Sequence, residues 1–255
     1  MNNEILAIIQ ARSSSRRLPG KVFLDLAGRT VLERVIERVG QAKKISKVIV
    51  ATSDKQADDR LAELCKQAGA DCFRGSEDDV LDRYYRAARH FGFSNIVRIT
   101  GDCPVIDPEV IDQVVALYQS ENLDYASNVI PPTWPDGLDT EIFSLNALEK
   151  AWREARINSA REHVTVYMWQ NPALFKQKHL LNPINLSNRR WVLDNPEDYE
   201  LIKEIYGQLY PSQPNFRLKD LLEFFSAHPE LEKVNQNIKR NEGLAKSLQE
   251  DVLKN

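Results

Sequence analysis

Cysteine is scarce in this 255-residue sequence, which contains only Cys65, Cys72 and Cys103. Three scattered cysteines are too few for a disulfide framework, and their spacing matches no zinc site. The sequence also lacks an apolar run near the roughly 20 residues that span a bilayer. Its first residues show no basic region followed by a long apolar stretch, as a signal peptide would. These absences predict a soluble, cytoplasmic protein without a membrane partner.

An excess of positive charge is also missing. The 34 Lys and Arg residues are outnumbered by 37 Asp and Glu residues, which gives a formal net charge of −3. A protein that binds nucleic acid through backbone phosphates is usually basic overall, so we expect no nucleic-acid partner. Any anion site in this chain must therefore be local.

Apolar strand-like segments alternate with amphipathic helical segments in the first half of the chain. The strand-like segments are "EILAIIQ", "KVIVATS", "DCFRG" and "NIVRIT". Because these strands are mostly apolar rather than alternating, they predict a mostly parallel sheet with helices on both faces. After about Leu123 the pattern loosens, and further strands are expected to complete a mixed sheet. Those later segments are "DYASN", "DTEIFSL" and "RRWVLD".

The length of the chain suits one large domain, or one domain with an appendage. From about Phe216 the sequence is charged and helical in pattern. We therefore expect one α/β domain over residues 1–215, and a helical extension over residues 216–255 that packs on the same domain. Inside the domain, Thr30 with Glu33 three positions later predicts a capping box that begins a helix.

Polar residues directly follow three of the predicted strands, in the ranges 10–21, 52–54 and 100–102. Ligands of parallel α/β sheets bind beyond the carboxyl ends of the strands. The coincidence of polar residues with these three ends predicts a ligand site at this edge of the sheet, independently of any motif.

Positive charge is concentrated in the first of these ranges, where Arg12, Arg16, Arg17 and Lys21 lie in one loop. Guanidinium, ammonium and backbone N–H groups together form phosphate cradles, and this density favours a polyphosphate site over a merely solvated loop. The loop is not a standard P-loop, and the chain contains no G-x-G-x-x-G fingerprint. A nucleotide held by another scheme is therefore predicted.

Two aspartates follow strand-like segments in distant parts of the chain. Asp102 comes after "NIVRIT", and Asp194 ends "RRWVLD". Either residue alone is equally consistent with a turn or a helix cap. Together, opposite a polyphosphate loop, two carboxylates are suited to hold Mg²⁺ on a transferring phosphoryl group.

The segments of the chain resemble, in order, a family of sugar nucleotidyltransferases related to the SpsF-type spore coat polysaccharide proteins. These proteins are similar in turn to CMP-Kdo and acylneuraminate cytidylyltransferases. The resemblance covers most of residues 5–202 and rests on "AIIQARSSSRRLPGKV", "ATSD", "GSEDDVLDRY", "ITGDCPVIDP", "DGLDTEIF", "REHVT" and "WVLDNPEDYELI".

The resemblance implies a GT-A-like three-layer α/β sandwich with a mostly parallel, mixed central sheet. It implies a nucleotidyltransferase domain that couples CTP to a sugar and releases pyrophosphate, with Mg²⁺ as cofactor, in surface polysaccharide or glycan biosynthesis. Relatives of this kind are commonly homodimers, and the same is expected here. By the same likeness, the triphosphate would be held by Arg12, Arg17 and Lys21, and Mg²⁺ by Asp102 and Asp194. The nucleotide would also contact Gln10, Ala11, Thr52, Asp54, Gly75, Asp79, Val80 and Asp102.

Acceptor-binding residues are expected in two later segments. Asp136, Asp139 and Glu141 lie in or just after a proline-rich loop, where they would accept hydrogen bonds from sugar hydroxyls. Arg161 would bind a carboxylate or phosphate on the acceptor, and His163 would orient a hydroxyl. The alternatives are solvated acidic residues and a structural histidine. A lining of carboxylates alone fits a neutral or amino sugar better than a sugar acid, unless nearby cations offset it.

Two other functions remain open at this point. A GT-A glycosyltransferase that consumes a nucleotide sugar would usually carry Asp-x-Asp, whereas Asp102 is followed by Cys103 and Pro104. A non-catalytic nucleotide-binding protein would not need both Asp102 and Asp194. Both observations favour the nucleotidyltransferase.

Overall fold

The computed structural model describes residues 4–251 of the chain. Its strands form a seven-stranded main sheet and a separate hairpin of β2 and β3. In chain order the strands are β1 (Ile5–Gln10), β2 (Asp25–Leu26), β3 (Arg29–Thr30), β4 (Lys47–Ser53), β5 (Asp71–Gly75), β6 (Asn95–Thr100), β7 (Tyr125–Ser127), β8 (Glu141–Ser144) and β9 (Gln177–His179).

The main sheet has the order β5-β4-β1-β6-β8-β7-β9. β1 pairs in parallel with β4 and β6, and β4 pairs in parallel with β5. β8 is antiparallel to both β6 and β7, whereas β7 and β9 are parallel. The expected mostly parallel sheet with a mixed second half is therefore confirmed. The carboxyl ends of β4, β1 and β6 lie side by side.

Helices cover both faces of this sheet. They are α1 (Val31–Val39), α2 (Asp59–Gln67), α3 (Val80–Phe91), α4 (Pro108–Glu121), α5 (Leu145–Glu154), α6 (Asn158–Glu162), α7 (Val166–Gln170), α8 (Pro196–Leu209), α9 (Leu218–Ala227) and α10 (Glu242–Gln249). Within residues 4–251, no helix combines the length and apolar character needed to cross a membrane.

Alternate residues of β1 belong to opposite cores, which explains why the strand is apolar throughout. Ile5, Ala7 and Ile9 pack in a cluster with α1, α2 and α4. Leu6 and Ile8 pack in a second cluster with α3, α5 and α7. A strand that is buried on both faces needs apolar side chains at every position, as parallel sheets usually do.

The segment "RRWVLD", residues 189–194, was expected to be a strand, and this expectation is wrong. Its backbone forms one parallel bridge, between Arg190 and Asp136. Beyond it, Leu193 N donates to the carbonyl oxygen of Asp102 at 2.8 Å. The segment is extended, but it changes its backbone partner within a few residues, so it forms no continuous ladder. It leads instead to the carboxyl end of β6.

The chain beyond Phe216 packs on the domain through a third core. Phe216, Leu221 and Phe225 are buried in it. The ring of Phe225 stacks on Trp191, with the centroids 5.5 Å apart. The division at residue 215 stays a prediction, and residues 1–3 and 252–255 lie outside the described chain.

Helix α1 begins at the capping box that the sequence predicts. The Thr30 hydroxyl accepts from Glu33 N at 3.3 Å, and the Glu33 carboxylate accepts from Thr30 N at 2.7 Å. The box satisfies two N–H groups that have no partner inside the helix. It therefore fixes where the chain leaves the hairpin that follows the basic loop.

Replacing Thr30→Ala should lower the free energy of unfolding by about 1 kcal/mol, because the capping hydroxyl is lost. Thr30→Ser keeps the hydroxyl and should stay close to the wild-type protein. Urea unfolding of the three proteins measures the difference. Equal stability of the alanine and serine variants would contradict a capping role.

Candidate active site

The chain segments after β1 and β6 touch at the carboxyl edge of the sheet. Gly101, directly after β6, donates its backbone N–H to Gln10 O at 2.8 Å. A Cβ atom at Gly101 would lie 2.9 Å from Ala11 Cβ and 3.0 Å from Gln10 O. Only glycine permits this approach of the two backbones. The contact places the next residue, Asp102, against the basic loop.

Lys21 joins the basic loop to both predicted metal ligands. Its ammonium donates to Asp102 Oδ2 at 2.7 Å and to Asp194 Oδ1 at 2.8 Å. A further hydrogen bond goes to the carbonyl oxygen of Leu193 at 3.0 Å. These bonds use all the donors of an ammonium group, and the Lys21 side chain is only 11% exposed. The fold thus brings together three residues that the sequence keeps far apart.

The opposite charges in this cluster stabilise one another. Burial raises the pKa of the Asp102 carboxyl, but the Lys21 ammonium outweighs burial and lowers the pKa to about 2. Burial lowers the pKa of Lys21, and the carboxylates of Asp102 and Asp194 outweigh it, so the net shift is upward. Lys21 and Asp102 are therefore an ammonium and a carboxylate in contact at neutral pH.

The other cations of the basic loop lie further out. Arg17 donates through Nη2 to Asp194 at 2.8 Å and through Nη1 to Glu242 at 3.2 Å. Arg12 and Arg16 are exposed, and neither side chain forms a hydrogen bond or ion pair within residues 4–251. Phosphate binding by Arg12 and Arg17 stays a prediction, and Arg12 is available for it without breaking an existing contact.

Asp58 anchors the basic loop to the end of β4, and the sequence analysis missed it. Its carboxylate accepts from Ser13 N at 2.7 Å and from Ser13 Oγ at 2.6 Å. It also accepts from Ser53 N at 3.2 Å and from Ser53 Oγ at 2.5 Å. Burial opposes ionisation, but the hydrogen bonds from Ser13 and Ser53 outweigh it and lower the pKa of Asp58. Only the fold reveals this partner, because it lies 45 residues from Ser13.

The predicted base-binding residues Thr52, Asp54 and Gly75 lie at the carboxyl ends of β4 and β5. Thr52 is buried in β4, and the backbone N of Asp54 donates to Gly75 O at 2.8 Å. A cavity of about 450 Å³ opens beside Asp54 and Gly75. Residues that line it include Asp54, Phe73, Gly75, Ser76, Glu77 and Arg86. Lys21 and Asp102 are not among the lining residues, so the charged cluster is not part of this cavity.

Asp79 links the base side of the site to the acceptor side. It caps α3 by accepting from Asp82 N at 3.0 Å, and it accepts from Arg161 Nε at 3.0 Å. The next residue, Val80, is buried in the core rather than open to a ligand. Arg161 also donates to the Trp152 carbonyl oxygen at 2.6 Å. The guanidinium that was expected to bind the acceptor is thus already paired.

The predicted acceptor carboxylates are paired with arginines as well. Asp136 accepts from Arg190 Nη1 at 3.0 Å. Asp139 accepts from Arg240 Nη2 at 2.5 Å. Burial raises the pKa of both carboxyls, that of Asp139 to about 7, although the arginines oppose the shift. Each residue is therefore close to a cation that the sequence analysis did not assign to it.

Glu141 is the most buried of the predicted acceptor residues. It is 3% exposed, forms an ion pair with Arg98 and accepts from Tyr125 OH at 2.6 Å. Arg98 also donates through Nε to Gln10 Oε1 at 3.1 Å. The arginine thereby fixes the side chain of Gln10, which was expected near the nucleotide, relative to Glu141.

His163 lies at the carboxyl end of α6 and is partly buried. Its Nε2 is 3.0 Å from Ser247 Oγ, a residue of α10. Burial lowers the pKa of His163, which favours the neutral imidazole near pH 7. Its predicted contact with an acceptor hydroxyl stays a prediction.

Asp198 holds the loop that bears Asp194, and the sequence analysis missed it. Its carboxylate accepts from the backbone N–H groups of Asp194 at 3.0 Å and Asn195 at 2.9 Å. The same carboxylate accepts from Arg190 Nε and Nη2, both at 2.9 Å. A signal existed in the sequence, since Asn195 and Asp198 have the spacing of a capping box, which the structure contains.

The pair Asp102 and Asp194 fits a magnesium ion that arrives with its substrate. One ammonium already bridges the two carboxylates, so a single cation can reach both. Within residues 4–251 there is no group of three or more His, Cys, Asp or Glu side chains placed to hold a metal. Mg²⁺ is usually held by one or two carboxylates together with substrate phosphates and water. A site of two carboxylates meets that requirement.

The fold and this site define a class of protein. The mostly parallel seven-stranded sheet is that of nucleotidyltransferases with a GT-A-like fold, and its carboxyl edge carries the basic loop and the two carboxylates. The chain belongs to the cytidylyltransferase family, whose model matches residues 6–227. Both the resemblance recognised in the sequence and the expected fold are thereby confirmed.

Individual relatives agree with this assignment. The spore coat polysaccharide biosynthesis protein SpsF of Bacillus subtilis is 35% identical over 235 residues, which cover 89% of this chain and 96% of that protein. A 3-deoxy-manno-octulosonate cytidylyltransferase of Geobacter sulfurreducens is 39% identical over 114 residues, 44% of each chain. A solved cytidylyltransferase from Leptospira borgpetersenii has a TM-score of 0.85 and 35% identity, and covers 93% of this chain and 98% of its own.

Replacing Asp58→Asn should destabilise the fold by about 1–3 kcal/mol at pH 7, because a buried hydrogen-bonded carboxylate is removed. The folded-state pKa of Asp58 is lowered, so its stabilisation is present above the unfolded pKa and is lost as pH falls through the folded value. The deficit of the variant should therefore shrink below about pH 4. Urea unfolding at several pH values measures it.

Asp59→Asn is the matched control, because Asp59 is the neighbouring residue and forms an ion pair with Arg74 at the surface. An exposed pair contributes about 0–1 kcal/mol. A deficit in Asp58→Asn that does not depend on pH, or that equals the deficit of Asp59→Asn, would contradict the role given to the Asp58 carboxylate.

Proposed function

We propose that the protein is a magnesium-dependent sugar cytidylyltransferase, which joins CTP to a sugar and releases pyrophosphate in surface polysaccharide or glycan biosynthesis. The proposal rests on the position of Lys21. This cation of the basic loop bridges the carboxylates of Asp102 and Asp194 through its ammonium group. Cations at the carboxyl edge of the sheet suit the phosphates of a nucleotide, and the carboxylates in contact with them suit its metal ion. The membership of the cytidylyltransferase family supports CTP as the nucleotide.

The reaction requires little covalent chemistry from the protein. The acceptor hydroxyl oxygen attacks the α-phosphorus of CTP in line and its proton passes to water, while the bond from that phosphorus to the β-phosphate oxygen breaks. Pyrophosphate leaves with the electron pair. Positioning and charge stabilisation account for most catalysis of this kind. Asp102 and Asp194 would hold Mg²⁺, which neutralises charge on the phosphates when it is bound.

The basic loop would bind the triphosphate by an exchange of partners. Arg12 forms no hydrogen bond or ion pair within residues 4–251 that phosphate binding would break. Lys21 and Arg17 are paired with carboxylates, and phosphate oxygens would take over part of that pairing. Asp58 holds Ser13, and with it the start of the loop, in place during the exchange. The cavity beside Asp54 and Gly75 supports the placing of the base and ribose on that side.

The acceptor side has a balanced charge. Asp136, Asp139 and Glu141 face Arg190, Arg240 and Arg98 respectively. The cations offset the carboxylates, so the argument for a neutral or amino sugar no longer holds, and sugar acids remain acceptors. Sugar binding by these three carboxylates, by Arg161 and by His163 is part of the proposal. Homodimer formation and a cytoplasmic location stay predictions from the sequence.

A thermal-shift screen with each of the four nucleoside triphosphates and Mg²⁺ tests the choice of base. A ligand that binds only the folded state raises the midpoint, by about 2.7 kcal/mol of stabilisation at a hundredfold excess over Kd. CTP should give the largest shift. A larger shift with another triphosphate would contradict the assignment of cytosine.

Replacing Asp102→Ala should lower pyrophosphate release by ~100-fold or more, because a metal ligand supplies several kcal/mol of charge stabilisation. The assay contains Mg²⁺, CTP and a panel of sugars that includes 3-deoxy-manno-octulosonate. Asp71→Ala is the control, since Asp71 is exposed and pairs with Lys47 away from the site. Unchanged release by Asp102→Ala would refute the metal assignment.

A further inference from the structure

The C-terminal strap, defined as residues 235–251, follows the part of the chain that the family model matches. It starts at Asn235, which is buried and donates to Asp198 Oδ1 at 2.8 Å. It ends at Asp251, whose carboxylate accepts from Ser159 N at 2.7 Å and Ser159 Oγ at 2.8 Å. Between these two anchors the strap crosses the acceptor side of the site.

Two charged residues of the strap bind side chains of the proposed active site. Arg240 donates to Asp139 Oδ1 at 2.5 Å and to the Trp134 carbonyl oxygen at 2.8 Å. Glu242 accepts from Arg17 Nη1 at 3.2 Å. The strap therefore touches both the loop expected to bind the sugar and the loop expected to bind the triphosphate.

The contact between Glu242 and Arg17 involves the same guanidinium that is predicted to bind the triphosphate. Both terminal nitrogens of Arg17 are occupied, Nη2 by Asp194 and Nη1 by Glu242. A phosphate group that takes the same two N–H donors, in the bidentate geometry that arginine favours, competes with these carboxylates. Asp194 is 21% exposed and shared with Lys21, whereas Glu242 is 44% exposed and holds Arg17 alone. Glu242 is thus the weaker of the two partners.

The strap is attached mainly by polar contacts. Helix α10 buries no residue, whereas α9 buries Leu221, Phe224 and Phe225. Segments with few buried apolar contacts open at low free-energy cost. Loss of one ion pair can therefore change the position of the strap without disturbing the core of the domain.

We propose that the C-terminal strap is part of the active site and that the triphosphate of the bound nucleotide displaces Glu242 from Arg17. Glu242 is then a positioning residue, which holds the Arg17 guanidinium until a phosphate takes its place. The release of α10 loosens Arg240 and uncovers Asp139 for the acceptor. This inference rests on the proposed function, because it requires that Arg17 binds the phosphates of CTP.

Equilibrium binding of Mg·CTP by calorimetry tests the competition directly. Glu242→Gln removes the competing charge, so it should bind CTP about two- to fivefold more tightly than the wild-type protein at low salt. The gain should shrink as ionic strength rises, because exposed ion pairs are screened. A merely structural role for Glu242 would weaken binding or leave it unchanged.

Glu250→Gln is the matched control at the residue that directly follows α10. Glu250 is exposed and lies 3.8 Å from Lys246, whereas the ion pairs of Arg17 within residues 4–251 go to Asp194 and Glu242. Its CTP affinity should equal that of the wild-type protein. If Glu242→Gln and Glu250→Gln bind CTP equally, the competition is overturned.

Amide hydrogen exchange of the full-length protein supplies a second measurement that needs no sugar. Addition of Mg·CTP should increase exchange in residues 235–251 and in the loop around Asp139, while Glu242→Gln should show raised exchange in the strap before CTP is added. Bound CTP with unchanged exchange in the strap overturns this inference and leaves the proposed function standing. Failure of the wild-type protein to bind CTP at all overturns both.

Discussion

The bridge that Lys21 forms between Asp102 and Asp194 is the constraint on which the site depends. Three chain segments must meet within hydrogen-bond distance for it to form: the basic loop, the end of β6 and the extended segment 189–194. Each of these segments is held in place by a different local feature. Asp58 holds the start of the basic loop, glycine at position 101 lets the end of β6 approach it, and Asp198 holds the loop of Asp194. Without the bridge, the Asp102 carboxylate would lose its ion pair in a partly buried place.

Carboxylates are paired with cations on the predicted acceptor side as well. Every carboxylate predicted to contact the sugar has an arginine partner, and the partners come from β6, from the segment 189–194 and from the C-terminal strap. A buried charge is tolerated only when it is paired and hydrogen-bonded. These side chains therefore form a network of ion pairs rather than an acidic pocket.

The main sheet, the α1 cap and the cluster of Lys21, Asp102 and Asp194 could all be predicted, because each depends on local patterns and on which edge of a parallel sheet binds ligands. The arginine partners could not, since pairing of charges is decided by tertiary proximity. Arg240 contacts Asp139 across 101 residues, and no local pattern encodes that distance. The prediction of a strand over residues 189–194 was wrong for a related reason. An apolar extended segment is typical of a strand, but it forms a ladder only where a neighbouring backbone pairs with it continuously.

Lys21 and its two carboxylate partners lie far apart in the sequence, and this affects when the cluster forms during folding. Its hydrogen bonds to Asp102 and Asp194 close loops of 81 and 173 residues. Contacts between such distant residues form late, because the entropy of loop closure is lost before the contacts stabilise anything. The cluster of Lys21, Asp102 and Asp194 therefore assembles after the sheet that carries it. An incompletely folded or nascent chain lacks this cluster, so a nucleotide that binds there as proposed would stabilise only molecules that have finished folding.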